Sequence, residues 1–149
     1  MTTMTIVLDA SVALSWVLDE EDGLGAGNVL SDIASGKVLA IAPTIWLYET
    51  INALKMAIVR SRITQKQAAA KISDILEINP EFVDFGLLLS ESFEIAIKYE
   101  LSMYDASYVS LAKLKGCDFY TGDTKLFKKV KGKLKFVKLA SEYGVDKTN

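Results

Sequence analysis

The stretch TIVLDAS (residues 5–11) decides the fold class. Residues 5–8 are nearly all apolar and rich in β-branched side chains, which predicts a short strand covered on both faces by helices. Asp9 stands at the carboxyl end of this strand, and residues 10–18 have helical periodicity. In open parallel sheets, ligands bind at that end of the strands. A lone aspartate at such a junction is also a favoured helix N-cap, so Asp9 by itself does not establish a site.

The rest of the chain alternates short apolar stretches with helical ones. Further strands are predicted at 38–42, 82–85, 118–121 and 136–139. Helices are predicted at 26–33, from the cap residue Thr44 to about 60–62, from a capping box at Thr64 to the break at 79–80, and at 88–99, 104–115 and 124–131. Strands that alternate with helices form βαβ units. The sequence therefore predicts a three-layer α/β/α domain with a mostly parallel central sheet.

The length and hydropathy of the chain predict its organisation. A chain of 149 residues is long enough to bury a core and is the usual length of one domain. We expect a single domain over 1–145 and a flexible tail over 146–149. The first apolar run is too short for a signal peptide, and no apolar stretch approaches the roughly 20 residues that span a bilayer. These features predict a soluble, cytoplasmic protein.

The residue composition limits the chemistry. Histidine is absent and there is one cysteine, which excludes Ser-His-Asp and Cys-His nucleophilic catalysis and nearly every zinc site. Carboxylate chemistry remains. The net charge is −2, but residues 113–138 contain nine lysines and two aspartates, whereas residues 19–22 are all acidic. A solvated helix face is the default interpretation of the lysine run, and binding of phosphate backbones is the other.

Four acidic residues stand at comparable places in the predicted fold, after strands or in the first turns of helices. They are Asp9, Glu49, Asp105 and Asp123. Helix capping or a favourable helix dipole explains each of them singly. Neither explains why all four lie beside apolar helix positions that face the core. Like charges gathered there repel one another unless a cation is present.

Carboxylates without histidine or thiolate are the ligands of a hard cation such as Mg²⁺ or Mn²⁺. Such a site activates water and stabilises the charge that develops on a phosphate. The sequence therefore predicts phosphodiester hydrolysis.

Four motifs carry a resemblance that spans nearly the whole chain. They are VLDAS (7–11), YETINAL (48–54), YDASYVSLA (104–112) and TGDTKL (121–126). In this order and spacing the chain resembles the PIN-domain ribonucleases, and among them the toxin subunit of the VapBC toxin–antitoxin type.

The resemblance implies a metal-dependent endoribonuclease and a role for each motif residue. The acidic quartet falls on Asp9, Glu49, Asp105 and Asp123. Ser11 and Thr121 would orient those carboxylates or a metal-bound water, and Asn52 would support Glu49. Some members carry a further acid just after the last aspartate, which residues 124–127 lack. One-metal and two-metal versions both remain open.

Three other functions compete with this one. An RNase H-like nuclease has the same order of acids but opens with an antiparallel meander. A receiver domain, which is a Mg²⁺-binding signalling switch, needs a second acid beside the first strand. A catalytically inactive PIN-like module would bind RNA or protein without cleaving it.

The same resemblance and the surface residues predict partners. We expect the RNA backbone to bind the basic stretch at Lys125, Lys128, Lys129 and Lys131. This stretch contains no arginine that could make bidentate contacts with bases. We expect a VapB-type antitoxin to place an amphipathic helix in an apolar groove beside the acids, with an arginine or lysine reaching into the carboxylate cluster in place of the metal. A homodimer is expected because the domain is very apolar and carries Trp16, Trp46 and Tyr48.

Overall fold

The computed structural model describes residues 3–18 and 23–144, and in these ranges five strands form one sheet. The strands are β1 (Met4–Leu8), β2 (Val38–Pro43), β3 (Glu81–Val83), β4 (Asp118–Thr121) and β5 (Val137–Leu139). Their order is β3-β2-β1-β4-β5, and every neighbouring pair is parallel. All the predicted strands are present. A wholly parallel sheet also excludes the RNase H-like alternative.

Helices cover both faces of this sheet. They are α1 (Ala10–Val17), α2 (Gly23–Ala34), α3 (Ile45–Val59), α4 (Gln65–Ile78), α5 (Leu89–Tyr99), α6 (Met103–Lys115) and α7 (Thr124–Val130), with 3₁₀ turns at Phe85–Leu88 and Ala140–Glu142. Helices α1 to α4 pack against one another, while α6 packs against α5 and lies on β1, β2 and β4. The predicted three-layer α/β/α fold is confirmed.

Local sequence signals set several of the helix ends. The predicted capping box is present at Thr64, whose hydroxyl accepts a hydrogen bond from the Gln67 N–H (3.1 Å) while Gln67 Oε1 accepts one from the Thr64 N–H (2.9 Å). Thr44 occupies the N-cap position of α3, as predicted, but does not act as a cap. Its backbone is already helical (φ −57°), and its side chain makes no capping hydrogen bond. Gly116 ends α6 in the left-handed conformation (φ +62°) that glycine favours.

The core lies on both sides of the central strands. Residues 6–8 of β1 are fully buried, as its apolar sequence predicts. Of the aromatic residues on which the dimer prediction depends, Trp46 is buried in this core, whereas Trp16 and Tyr48 are 42% and 80% exposed. Trp46 is therefore not available to an interface.

Two predictions lie outside the described residues, namely the charge run at 19–22 and the tail at 146–149. Within the described ranges, no helix is long and apolar enough to cross a membrane.

Candidate active site

The candidate site lies where the carboxyl ends of β1 and β4 meet. The two strands are parallel neighbours, and the Asp9 N–H donates to the Tyr120 carbonyl at 3.1 Å. From β1 the chain crosses to β2 on one side, while β4 lies on the other. This is the point at which the strand order reverses, where open α/β sheets bind their ligands. The fold therefore places Asp9 and Asp123 on adjoining loops.

Asp9 is a buried carboxylate that does not cap a helix. It is 6% exposed and its side chain makes no capping hydrogen bond to α1, although it occupies the N-cap position. Its Oδ2 accepts a hydrogen bond from the Thr121 hydroxyl at 2.5 Å. Burial, reinforced by the negative charges of Glu49 and Asp105, raises the pKa of Asp9 to about 7 despite this hydrogen bond. A carboxylate in this position is destabilised unless a cation or a proton neutralises it.

Thr121 links the two loops. Besides donating to Asp9, its hydroxyl accepts a hydrogen bond from the Asp123 N–H at 3.0 Å and lies 3.5 Å from the Ser11 hydroxyl. Ser11 Oγ in turn accepts a hydrogen bond from the Gly122 N–H at 2.9 Å. The structure thus brings Ser11 and Thr121, the two hydroxyl residues of the motifs, to Asp9.

Asp123 is a helix cap as well as a candidate ligand. Its Oδ1 accepts hydrogen bonds from the N–H groups of Lys125 (2.9 Å) and Leu126 (3.1 Å), at the start of α7. The second oxygen accepts no hydrogen bond from the described residues. Capping and metal binding are therefore compatible here, because they use different oxygens of one carboxylate.

Glu49 lies on the second turn of α3 and is held by a tyrosine. The Tyr108 hydroxyl donates to Glu49 Oε1 at 2.7 Å, and the Tyr108 ring is fully buried and stacked on Phe119. Burial and the charge of Asp105 raise the pKa of Glu49. Sequence reasoning missed Tyr108. The available signal was its place three residues after Asp105, which puts both on one side of α6.

Asn52 does not take the role expected of it. Its side chain is exposed on α3, and within the described part of the chain it makes no hydrogen bond to Glu49. The i+3 spacing places Asn52 on the same side of α3 as Glu49. The Glu49 carboxylate, however, accepts its hydrogen bond from Tyr108 of α6.

Asp105 is not the residue that caps α6. Ser102 is, since its hydroxyl accepts a hydrogen bond from the Asp105 N–H at 3.0 Å. The Asp105 carboxylate is half-buried, and burial together with the charge of Asp123 raises its pKa, while Lys129 opposes that rise. Electrostatic coupling therefore connects all four predicted acids.

The donor set fits a hydrated hard cation. Within the described ranges, no group of three or more acidic or cysteine side chains is arranged so that it could hold a metal ion. Mg²⁺ usually keeps several of its waters and needs only one or two carboxylates directly. The carboxylate oxygens of Asp9, Glu49, Asp105 and Asp123, which influence one another electrostatically, are donors of the type that such an ion takes.

The predicted lysines lie beside this site and are exposed. Lys129 Nζ donates to the Glu100 carbonyl at 2.8 Å, and Lys131 lies over the Phe127 ring at 5.9 Å. At the ends of the basic stretch, Lys113 and Lys138 form ion pairs with acids (2.5 and 2.8 Å). The free positive charge is thus concentrated on and just after α7.

Comparison with known proteins gives consistent results. The family model of the PIN domain matches residues 6–133. Ribonuclease VapC3 of Pyrobaculum aerophilum is 27% identical over 128 residues, which are 85% of this chain and 95% of the relative. The resemblance predicted from the four motifs is confirmed.

Solved structures share the fold. The crystal structure of PAE2754 from P. aerophilum matches with a TM-score of 0.67 and 20% identity over 92% of this chain and 84% of that one. That of VapBC2 from Rickettsia felis bound to a DNA fragment from their promoter matches with a TM-score of 0.60 and 19% identity, over 91% and 97% of the two chains. At these identities the likeness concerns the fold alone.

Proposed function

This chain belongs to the PIN-domain family, and on that premise we propose that it is a metal-dependent endoribonuclease, the toxin of a toxin–antitoxin pair. The observation that carries the proposal is Asp9, a buried carboxylate that caps no helix and whose pKa is raised by burial and by the charges of Glu49 and Asp105. The similarity to a relative named a ribonuclease supports RNA as the substrate. Family membership also sets the receiver-domain alternative aside.

We propose that Mg²⁺ or Mn²⁺ is held by Asp9, Asp105, Asp123 and Glu49, through oxygens and waters. When bound, the ion supplies the positive charge that stabilises a phosphate under in-line attack. Thr121 keeps Asp9 in place, and Tyr108 occupies one oxygen of Glu49. The other Glu49 oxygen is then available to orient the attacking water.

Cleavage of RNA tests the proposal. A mixed RNA pool should be cut with Mn²⁺ or Mg²⁺, and EDTA should stop the reaction. Asp9→Asn should be inactive in the same assay, while Asp74→Asn, which removes an exposed acid of α4, should cut as the wild type does. Binding of RNA without cleavage at any metal concentration would instead identify an inactive PIN-like binding module.

Phosphate backbone is the proposed ligand of Lys125, Lys128, Lys129 and Lys131. Lys129 supports this assignment most directly because it is near enough to Asp105 to affect its pKa. An RNA strand bound by these lysines would place its next phosphate at the four acids. Contacts of this kind hold RNA without reading its sequence.

An antitoxin segment is the proposed protein partner. A groove of about 360 Å³ between α1, α2 and α4 is lined by Trp16, Leu30, Ile33 and Ile78, and none of the four acids of the site lines it. Asp74 and Glu77 also line it, so an amphipathic helix with basic flanks fits its apolar floor and acidic rim. The shared fold with VapBC2 of Rickettsia felis, which is named as a VapBC assembly, supports an antitoxin as the occupant.

Expression in a bacterial host tests the toxin assignment. The chain alone should arrest growth, and Asp9→Asn should relieve the arrest. Equal arrest by both would assign the toxicity to something other than the acidic site.

A second copy of the chain is the proposed occupant of an exposed apolar stripe on α5. Leu89, Phe93 and Ile97 lie four residues apart on one side of the helix, and each is at least half exposed. Light scattering should give a dimer for the wild type and a monomer for Phe93→Glu. A monomeric wild type at micromolar concentrations would remove this part of the proposal.

A further inference from the structure

A cavity of about 530 Å³ lies beside the acidic cluster and has no role in the function proposed so far. This volume is in the range of sites that bind small molecules. Hydroxyl groups line one part of it, and apolar side chains of α1 and β5 line the rest. The hydroxyls belong to Ser11, Ser15, Thr121, Thr124 and Ser141.

The cavity and the acidic site share a wall. Thr121 lines the cavity and donates its hydroxyl to Asp9, and Ser11 lines it while accepting a hydrogen bond from the Gly122 N–H. A ligand in the cavity is therefore adjacent to the carboxylate at the centre of the cluster. For an RNA whose scissile phosphate lies at the acids, the cavity is within reach of a neighbouring nucleotide.

The residues that line the cavity determine which part of that nucleotide, the phosphate or the base, it can bind. None of the described residues that line the cavity is charged, so it offers nothing to neutralise a phosphate. Apolar walls with hydroxyls suit a flat, neutral ring with donors and acceptors on its edge, since a hydroxyl can both donate and accept. Nucleobases of single-stranded RNA, which can turn out of the stack, have this chemistry.

Ser15 supplies an independent sign of a ligand. Its Oγ is buried and has no hydrogen-bond partner among the described residues, although buried polar atoms nearly always have one. It stands four residues after Ser11 on α1, so both line the same side of the helix.

We propose that this cavity binds the nucleobase next to the scissile phosphate and that Ser15 Oγ, which is buried without a partner among the described residues, turns into the cavity to hydrogen-bond to the edge of the base. The inference rests on the proposed function, because it assumes that RNA occupies the acidic site. It adds a specificity-determining residue to a site whose other contacts are to phosphate and metal.

Binding of mononucleotides tests the cavity without any cleavage. AMP, CMP, GMP and UMP are titrated separately, with Mg²⁺, into the ¹⁵N-labelled protein. At least one should shift the amide signals of Ser15, Thr124 and Ala140. Ser141→Trp, which replaces an exposed rim residue with a large side chain, should weaken this binding about tenfold or more. Ser90→Trp, at an exposed position of α5, is the matched control and should bind as the wild type does.

Cleavage maps on an RNA pool then separate this inference from the proposed function. Ser141→Trp and Ser15→Ala should raise KM and flatten the preference for the base beside the cut, while the Mn²⁺-induced rise in melting temperature stays that of the wild type. The inference is overturned if no mononucleotide shifts the cavity amides, or if Ser141→Trp binds them as well as Ser90→Trp does. Failure of the wild type to cut RNA, with mononucleotides still bound in the cavity, would overturn the proposed activity alone.

Discussion

Replacement of Asp9 by asparagine should make the metal-free protein more stable, and the gain should grow with pH. The native pKa of Asp9 is about 7 against an ordinary value of 3.8. The folded protein therefore binds the proton more tightly than the unfolded chain. The acid costs no stability below about pH 4, and the cost rises as the pH passes from 4 to 7. Asparagine keeps the shape and an acceptor for Thr121 but does not titrate.

The size of the effect follows from the shift. A difference of about 3 pKa units corresponds to about 4 kcal/mol at full ionisation. Between pH 4.5 and pH 8, the free energy of unfolding of the wild type should fall relative to that of Asp9→Asn by about 3 kcal/mol. Burial is the largest cause, so solvent screening is weak at this residue.

Urea denaturation in EDTA, followed by tryptophan fluorescence, measures the difference at several pH values. Asp74→Asn controls for the loss of one negative charge. Excess Mn²⁺ should reverse the order, because the ion binds the folded wild type more tightly than the variant. A difference between wild type and Asp9→Asn that stays constant with pH, or a variant that is the less stable at pH 8, would refute the reasoning.

Three further predictions concern single contacts of the site. Asp105→Asn should abolish cleavage and reduce the Mn²⁺-induced rise in melting temperature. The metal-free variant should be as stable as the wild type, or more stable by about 1 kcal/mol. A destabilised variant with an unchanged Mn²⁺-induced rise would show that Asp105 only supports its helix. Tyr108→Phe should lower the cleavage rate about tenfold, since Glu49 loses the donor that holds it, and single-turnover kinetics with unchanged RNA affinity would show that the loss is in the reaction. Replacing three exposed lysines with glutamine should weaken binding equally for all RNA sequences and make the slope of log K against log salt shallower by about 2; an unchanged slope would mean that they contact no phosphate. These lysines are Lys128, Lys129 and Lys131.

The order of the elements was readable from the sequence because each strand is a short apolar run that ends at a polar junction. Asp9 and Asp123 could be placed at one end of the sheet for the same reason, since the carboxyl ends of parallel strands share an edge, whereas Asp105 follows a helix rather than a strand. Thr44 stands at the predicted N-cap position but does not cap α3, because its backbone is already helical and a position before a helix does not reveal backbone angles.

Contacts between distant parts of the chain could not be read in this way. Asn52 is near Glu49 along α3, but the partner of Glu49 is Tyr108, 59 residues away and on the helix packed over the sheet. The cavity beside Asp9 is likewise lined by residues of α1 and β5, which are far apart in the sequence. Spacing along one helix predicts only which residues share a face.

The central claim is that the acidic cluster holds a divalent ion. The most direct test is diffraction, recorded at the manganese absorption edge, from a crystal grown with Mn²⁺. We expect an anomalous peak among Asp9, Glu49, Asp105 and Asp123 in the wild type, and a much weaker one in Asp9→Asn. A wild-type crystal without a peak at these carboxylates, at a Mn²⁺ concentration that supports cleavage of RNA in solution, would contradict the account.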